Sequence, residues 1–270
     1  MMENIRERKP AALLDALRAT RRRYVRSLGK PILRSIDRYI AASSLVPDQP
    51  VLDSKAFPWV AELEANWRDI RAELDEILKF REHIPRFQDV SADQYRISPD
   101  DQWRTFILYG FGYKSRLNCE LCPKTTAVLR RIPDLQTAFF SILAPGKHIP
   151  RHRGVTKSLI RCHLGLMVPR AREQCYMDVG GVRCVWENGR AFVFDDRYAH
   201  EVHNDTAEER AVLLIDVQRP MRRRGVVLSR IMLRLFRKTA YVVEARRNLV
   251  LWEQRLQAHL AKESGSSDVV

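Results

Sequence analysis

The stretch RAFVFDDRYAHEVHNDTAEERAVLLIDVQRP, residues 190–220, contains three short runs rich in β-branched, aromatic and aliphatic residues. Asp, Asn and Thr occupy the breaks between the runs, as is typical of turns. Short runs of this composition, each bounded by turn residues, predict β-strands. The stretch therefore predicts three consecutive strands near the end of a β-rich region.

The same texture extends upstream to about Thr105, in TFILYGFGYK, TAFFSILAPG, LIRCHLGLMVP and CYMDVGGVRCVW. CPKTTAVLRRIP interrupts these runs and predicts one short helix. Many short strands separated by Gly, Pro, Asn and Asp are typical of a sandwich or barrel of the jelly-roll type. The fold class predicted for residues 105–221 is therefore mainly β.

Both flanks predict helices. In residues 1–104, RATRRRYVRSLGKPILRSIDRYIAA predicts two short basic helices, and FPWVAELEANWRDIRAELDEILKF predicts one amphipathic helix starting near Pro58. We expect Trp59 and Trp67 of that helix to pack on the core. Residues 222–270 predict basic amphipathic helices and a tail. The segment 222–238 can lie in a membrane interface, or it can dock on the core with its arginines in water.

The chain has 270 residues, of which 47 are basic and 33 acidic, giving a formal net charge of +14. An excess of this size predicts an anionic partner, but charge alone does not choose between nucleic acid, a membrane surface and an acidic substrate. The five scattered cysteines and the absence of a signal-type apolar segment favour a reducing cytoplasm without disulfides. The CxxC at Cys119 and Cys122 lacks a second ligand pair, so we expect it to be structural.

Two histidines in the β region stand out, His152 in HRG and His200 in HEVHNDT, followed ten residues later by Arg210. Imidazoles on neighbouring strands can bind ferrous iron with positions left open for a chelating oxo-acid and oxygen. A planar, permanently charged arginine can bind the far carboxylate of such an acid in a bidentate manner. Gly154 occupies the position of the carboxylate in the usual H-x-D/E…H site, however, so the residues alone also allow two structural histidines.

The span from Cys122 to Pro220 contains CPKT, HLGLMVP, WENGRAFVFDDRYAHEVHNDT and RAVLLIDVQRP in order. These motifs resemble the aspartyl/asparaginyl β-hydroxylase family of Fe(II)- and 2-oxoglutarate-dependent dioxygenases. The flanks are also similar to the bacterial lipid A hydroxylase branch. The resemblance implies a double-stranded β-helix, cupin-like, in which iron and 2-oxoglutarate activate O2 to hydroxylate an unactivated C–H bond.

In this family two histidines hold the iron without a carboxylate, so the resemblance makes Gly154 an expected residue. It implies His152 and His200 as the metal ligands and catalytic centre, and His148 as a loop residue. By position it also implies that Ser141 and Arg210 bind the distal carboxylate of 2-oxoglutarate. Its metal-chelating end would contact Arg161 and His163.

Other residues near the motifs are expected to have structural or orienting roles rather than to bind the metal. Asp195 and Asp196 are expected in a turn between strands, with Asp196 orienting His200 from outside the ligand set. Glu201 should face away from His200 on a strand, and His203 fits a surface position. Trp186, Gly189 and Asp216 match family positions and indicate a barrel aromatic, a tight turn and a strand-end residue.

Two substrate classes remain open. An acyl chain of a membrane lipid, such as lipid A or an aminolipid, is favoured by the flanks, and peripheral contact with the anionic inner face of the membrane would follow from the basic segment. The β-carbon of Asp or Asn, in a peptide or a carrier-bound amino acid, is favoured by the core motifs. Leu159 occupies the position at which the peptide hydroxylase carries an additional arginine, which weakens the case for an Asp or Asn substrate in a peptide. No nucleic acid is expected, and the remaining rival is a non-catalytic cupin-like anion-binding protein.

Overall fold

The computed structural model describes residues 31–267, except residues 32, 92–94 and 111. Two antiparallel sheets lie face to face. The larger sheet has the strand order β1-β9-β6-β11-β4-β2-β3, and the smaller has the order β5-β10-β7-β8. Their bounds are β1 Val51–Leu52, β2 Trp103–Gly110, β3 Tyr113–Lys114, β4 Leu135–Leu143, β5 His148–His152, β6 Leu159–Met167, β7 Cys175–Val179, β8 Val182–Val185, β9 Ala191–Phe194, β10 His200–Asn204 and β11 Arg210–Gln218. The predicted jelly-roll fold, mainly β with helices at both ends, is confirmed.

The helices lie around the two sheets rather than between them. They are α1 (residues 33–43), α2 Trp59–Ala65, α3 Trp67–Leu78, α4 Phe87–Val90, α5 Arg116–Leu121, α6 Pro123–Leu129, α7 Arg223–Arg237 and α8 Ala240–Ser267. The predicted helix in CPKTTAVLRRIP is α6, which begins with Pro123 at its first position. Of the two basic helices predicted near the N-terminus, the second is α1 and the first falls outside the described residues.

Strand β11 is buried along its whole length because both faces of the larger sheet are covered. Leu213 and Ile215 pack in the apolar cluster that includes Leu63 and Ile70 of α2 and α3. On the opposite face, Val212 packs among residues of the smaller sheet. Because successive side chains of a strand point to opposite faces of the sheet, alternate residues of β11 pack against the helices and against the smaller sheet.

The amphipathic segment after Pro58 forms two helices instead of the single predicted one. Asn66 has φ −97° and ψ 8°, and its side-chain amide donates to the Glu62 carbonyl at 2.8 Å, which ends α2. The helix resumes at Trp67, and both tryptophans pack against the core as expected. A local side-chain to backbone hydrogen bond of this kind competes with continuation of the helix.

Helix α7 docks through its small residues and leaves an apolar stripe exposed. Gly225 and Ser229 are buried, and a Cβ on Gly225 would lie only 2.6 Å from Ser43 Cβ. On the outer side Val227, Ile231 and Leu235 are 59%, 49% and 62% exposed. Within the described part of the chain, no helix has the length and apolar character needed to cross a bilayer.

We predict that Gly165→Ala lowers the free energy of unfolding by about 1–3 kcal/mol, the usual cost of overpacking. Gly165 lies on β6, and a Cβ there would meet the backbone oxygen of Glu187 at 2.3 Å, so the strand would have to shift. Chemical denaturation measures the change. The matched control is Gly110→Ala, whose Cβ would lie 3.7 Å from the Ile107 side chain. Equal stability of the two variants would contradict the close approach.

Candidate active site

His152 and His200 face each other across two neighbouring strands. The β5–β10 register pairs them directly, and their ring centroids are 4.2 Å apart with planes tilted by 59°. His200 is 2% exposed, whereas His152 is partly exposed at the edge of the interior. The two imidazoles that the motifs single out are thus brought together by strand pairing.

The Nδ1 atom of each ring is held by a backbone carbonyl. His152 Nδ1 lies 2.8 Å from the Pro150 oxygen, and His200 Nδ1 lies 2.9 Å from the Tyr198 oxygen. A carbonyl oxygen only accepts, so Nδ1 carries the proton in both rings and Nε2 keeps its lone pair. Burial lowers the pKa of His152, and burial together with His152 lowers the pKa of His200 to about 3. Both rings are therefore neutral near pH 7, the state that binds metal.

His148 lies on strand β5, not in a loop as predicted. A register shift between His200 and Val202 places Ile149 inward and His148 outward, where its ring stacks on His203 at 4.2 Å. Glu201 Oε2 lies 3.3 Å from His148 Nε2, on the side of the strand opposite His200. The bulge therefore separates two histidines that a regular strand would place on the same face.

In the part of the chain that the structure describes, no carboxylate lies close enough to the two facing histidines to complete a group of three potential metal ligands. Among the described residues, the only group of three His, Cys, Asp or Glu whose donor atoms all lie within 4.8 Å of one another is His148, Glu201 and His203 on the outer surface. At Gly154, a Cβ would lie 2.2 Å from the Asp196 carboxylate, so that carboxylate fills the space a side chain would need. Within the described residues, the two facing imidazoles are therefore the group in the interior that could hold a metal.

Asp196 is in the turn between β9 and β10, as expected, but it faces Arg161 as well as Gly154. Arg161 makes a bidentate pair with Asp216, at 2.7 and 3.0 Å, and its Nη2 lies 3.4 Å from Asp196 Oδ2. Burial raises the pKa of Asp196 to about 7, and the charge of Arg161 opposes that shift. Arg161 is therefore a cation held by the Asp216 carboxylate and in contact with Asp196, beside His152 and His200.

Arg210 is a buried cation, 1% exposed, at the other end of the interior. Its guanidinium carbon lies 4.5 Å above the Trp186 ring, and Nη1 donates to the Ser141 carbonyl at 3.3 Å. None of the ion pairs found in the described part of the chain involves it, and its Nε atom lacks a hydrogen-bond partner there. Burial lowers its pKa to about 10. A buried guanidinium without a carboxylate partner is a site suited to an anion.

Ser141 on β4 and His163 on β6 lie near Arg210, on the two strands that flank β11 in the larger sheet. Ser141 Oγ accepts from Trp103 Nε1 at 3.0 Å, which leaves its hydroxyl proton to donate elsewhere. His163 is 4% exposed, and neither ring nitrogen has a hydrogen-bond partner among the described residues. Burial, aided by Arg210 and Arg161, lowers its pKa well below the ordinary value. The two ring nitrogens of His163 and the Nε atom of Arg210 are thus buried polar atoms without a hydrogen-bond partner among the described residues.

An apolar cavity of about 410 Å³ begins at His152 and His200 and extends beneath α8. Its walls come from α4, five strands of the larger sheet and α8, through Phe87, Ile107, Phe139, Leu214 and Leu249 among others. Arg237 and the exposed Val243 lie at the α7–α8 elbow and line the same cavity. Its volume is in the range of small-molecule sites.

The family model for aspartyl/asparaginyl β-hydroxylase matches residues 64–220, more than half of the chain. The chain belongs to that family. The match covers both facing histidines and every other site residue predicted above.

Among known proteins, an ornithine lipid ester-linked acyl 2-hydroxylase of Rhizobium tropici is 41% identical over 209 residues, which cover 77% of this chain and 74% of that protein. The human aspartyl/asparaginyl β-hydroxylase is 31% identical over 62% of this chain, and the match spans 23% of the human protein. A prolyl-4-hydroxylase of Pseudomonas putida, a solved structure, aligns with a TM-score of 0.37 and 15% identity over 58% of this chain and 88% of that one. The fold assignment here comes from the sheet topology itself.

The sequence missed two features of the site. Asp216 was expected as a strand-end residue, whereas it pairs with Arg161 across the β6–β11 register. Position 216 already carried a signal, since an acid within a run of aliphatic residues needs a buried partner. The apolar cavity had no such signal, because its walls come from segments far apart in the chain.

We predict that Arg210→Met raises the free energy of unfolding of the ligand-free protein by about 1–2 kcal/mol. The substitution removes a buried charge without a carboxylate partner, the kind of residue at which function costs stability. Urea denaturation without added carboxylic acids is the measurement. The control Arg170→Met changes a side chain that is 96% exposed and should leave stability unchanged. A large loss of stability in Arg210→Met would show that the guanidinium has a structural role instead.

Proposed function

We propose that the protein is an Fe(II)- and 2-oxoglutarate-dependent dioxygenase that hydroxylates an unactivated C–H bond in the acyl chain of a membrane lipid. The observation that carries the substrate class is the apolar cavity, which starts at the two facing histidines and continues beneath α8. An apolar cavity of this kind suits a hydrocarbon chain, whereas a peptide substrate would bring backbone amides that need hydrogen-bond partners.

His152 and His200 would hold the iron through their Nε2 atoms. The fit is supported by the neutral state of both rings and by the backbone carbonyls that fix their orientation. Two imidazoles leave most of the coordination sphere of ferrous iron open for a bidentate co-substrate and oxygen. With iron and 2-oxoglutarate bound, O2 is split so that one atom enters succinate, released with CO2, and the other enters the substrate C–H bond.

Arg210 and Ser141 would bind the distal carboxylate of 2-oxoglutarate. The carboxylate would neutralise the buried guanidinium, offer an acceptor to Arg210 Nε and accept a hydrogen bond from the Ser141 hydroxyl. His163 and Arg161 would border the keto-acid end nearer the histidines. Asp216 and Asp196 would hold the Arg161 guanidinium in position for that contact.

Leu159 supports a lipid in preference to an Asp or Asn side chain. It is buried, lines the cavity, and occupies the position at which the peptide hydroxylase branch carries an extra arginine. An apolar wall replaces a cation that would bind a substrate carboxylate. The 41% identical relative, named as an ornithine lipid acyl hydroxylase, agrees with this choice.

The outer face of α7 would rest on an anionic membrane. Val227, Ile231 and Leu235 form an exposed apolar stripe, and Arg224, Arg230 and Arg234 are exposed on the same helix. Large apolar side chains set among arginines are typical of interfacial helices. The connection between α7 and α8 lines the cavity, so contact of α7 with a membrane would bring the cavity close to its lipid substrate.

We predict that cells overproducing the protein accumulate membrane lipids one oxygen atom heavier than those of cells lacking the gene. His152→Ala and His200→Ala should each abolish the gain by removing one of two iron ligands. His148→Ala should retain it, because that ring faces outward. Mass spectrometry of lipid extracts is the measurement, with succinate release from the purified iron-loaded protein as a second readout.

Two outcomes would contradict the proposal. Equal activity of all three alanine variants would exclude the assigned ligands. Unchanged lipids together with succinate release on Asp- or Asn-containing peptides or carrier-bound amino acids would keep the dioxygenase and replace its substrate.

We further predict that the combined variant Val227→Ser, Ile231→Ser, Leu235→Ser binds anionic vesicles at least about tenfold more weakly, because three apolar side chains no longer enter the interface. Vesicle co-sedimentation gives the ratio. The control Val182→Ser changes an exposed apolar residue on β8, in the smaller sheet. Unchanged binding of the triple variant would place the membrane contact elsewhere.

A further inference from the structure

We propose that the substrate cleft has two arms of opposite chemistry that meet at His152, with the lipid tail in one arm and an anionic head group in the other. The inference rests on the proposed function, since it assigns the parts of a lipid substrate to parts of the cleft. His152 and its neighbour Arg153 line both the apolar cavity and an open groove.

The first arm is the apolar cavity under α8. Leu249 of α8 is 3% exposed and packs with Ile107, Phe139 and Leu214 from the larger sheet. Ile107, Phe139 and Leu214 lie on the face of the sheet that also carries Asp216, and so they continue the interior from the proposed iron-binding end. Helix α8 covers this arm of the cleft, and the volume of the Leu249 side chain limits the length of hydrocarbon chain that can bind there.

The second arm is a basic groove lined by Arg96, Arg151 and Arg153 together with His152 and Ala199. All three arginines are exposed, and no carboxylate is among the described residues that line the groove. Arg151 lies 3.8 Å from Glu201, and Arg153 donates to the Arg197 carbonyl at 3.3 Å. The groove is therefore suited to a carboxylate or phosphate group, which can bind guanidinium groups in a bidentate manner.

The position of His152 between the arms determines which carbon reacts. A lipid with its anion in the basic groove and its tail beneath α8 passes the iron-binding histidines where the head group joins the chain. The oxidised carbon should consequently lie within the first few positions from the acyl carbonyl. Carbons in the middle or at the end of the chain would lie deep in the apolar arm.

The first test uses the iron-loaded full-length protein, 2-oxoglutarate and a competing mixture of short- and long-chain acyl lipids with one head group. Leu249→Trp should shift the preference toward shorter chains by about tenfold, as expected when two methylenes lose their buried site. Leu251→Trp is the control, because Leu251 is on the same helix, is 43% exposed and does not line the cavity. Tandem mass spectrometry locates the added oxygen in each product.

The second test concerns the basic groove. Arg151→Gln combined with Arg153→Gln should raise the KM for anionic lipids by about tenfold, equivalent to the loss of one charge-assisted contact, and change kcat by less than about twofold. The KM for an uncharged diacylglycerol should stay constant. Comparing an amino-acid head group with a phosphate head group shows which anion the groove prefers, and Arg170→Gln is the exposed control.

Three results would overturn the two-arm cleft while leaving the proposed function intact. They are oxidation in the middle of the chain, identical chain-length preference of Leu249→Trp and Leu251→Trp, and equal effects of the arginine variants on charged and uncharged lipids. If instead the wild-type protein transfers no oxygen to any lipid, the proposed function itself fails.

Discussion

The buried ion pair between Asp195 and Arg219 is the constraint on which the site depends. Both side chains are fully buried, and Lys157 adds a second cation at 2.8 Å from Asp195. A buried charge without its partner would cost several kcal/mol, so these groups must meet whenever the chain folds. They fix the turn at which the chain leaves β9 of the larger sheet and enters β10 of the smaller one.

This turn leads directly into the candidate iron site through Asp196, Tyr198 and His200. Asp196, the residue after Asp195, faces Arg161. Its backbone oxygen accepts a hydrogen bond from the Gly154 amide at 2.7 Å. Tyr198 holds His200 by its carbonyl, and β10 in turn aligns His152 on β5. The ion pair thus lies at the turn that leads into β10, and the β5–β10 pairing brings the two histidines together.

The interior contrasts two kinds of cation. Arg219 and the partly exposed Arg161 have carboxylate partners, whereas Arg210 is as buried as Arg219 without one. Burial lowers the pKa of Arg210 and of His163, and the Arg210 Nε atom and both His163 ring nitrogens lack hydrogen-bond partners among the described residues. The dicarboxylate ligand proposed above would give Arg210 the carboxylate partner that it lacks. We expect this buried charge to lower the free energy of unfolding of the ligand-free protein.

The sequence by itself determined the β-rich middle, the helical flanks and, through its motifs, the residues proposed for the site, because turn residues and strand composition act locally. Other features were decided by tertiary structure. The bulge that turns His148 outward, the end of α2 at Asn66 and the Arg161–Asp216 pair depend on which strands and helices become neighbours. The apolar cavity combines side chains from Phe87 to Leu249, and His152 joins it to the basic groove. Such a juxtaposition arises only when distant segments pack together, since the pattern of one segment carries no information about the partner that will cover it.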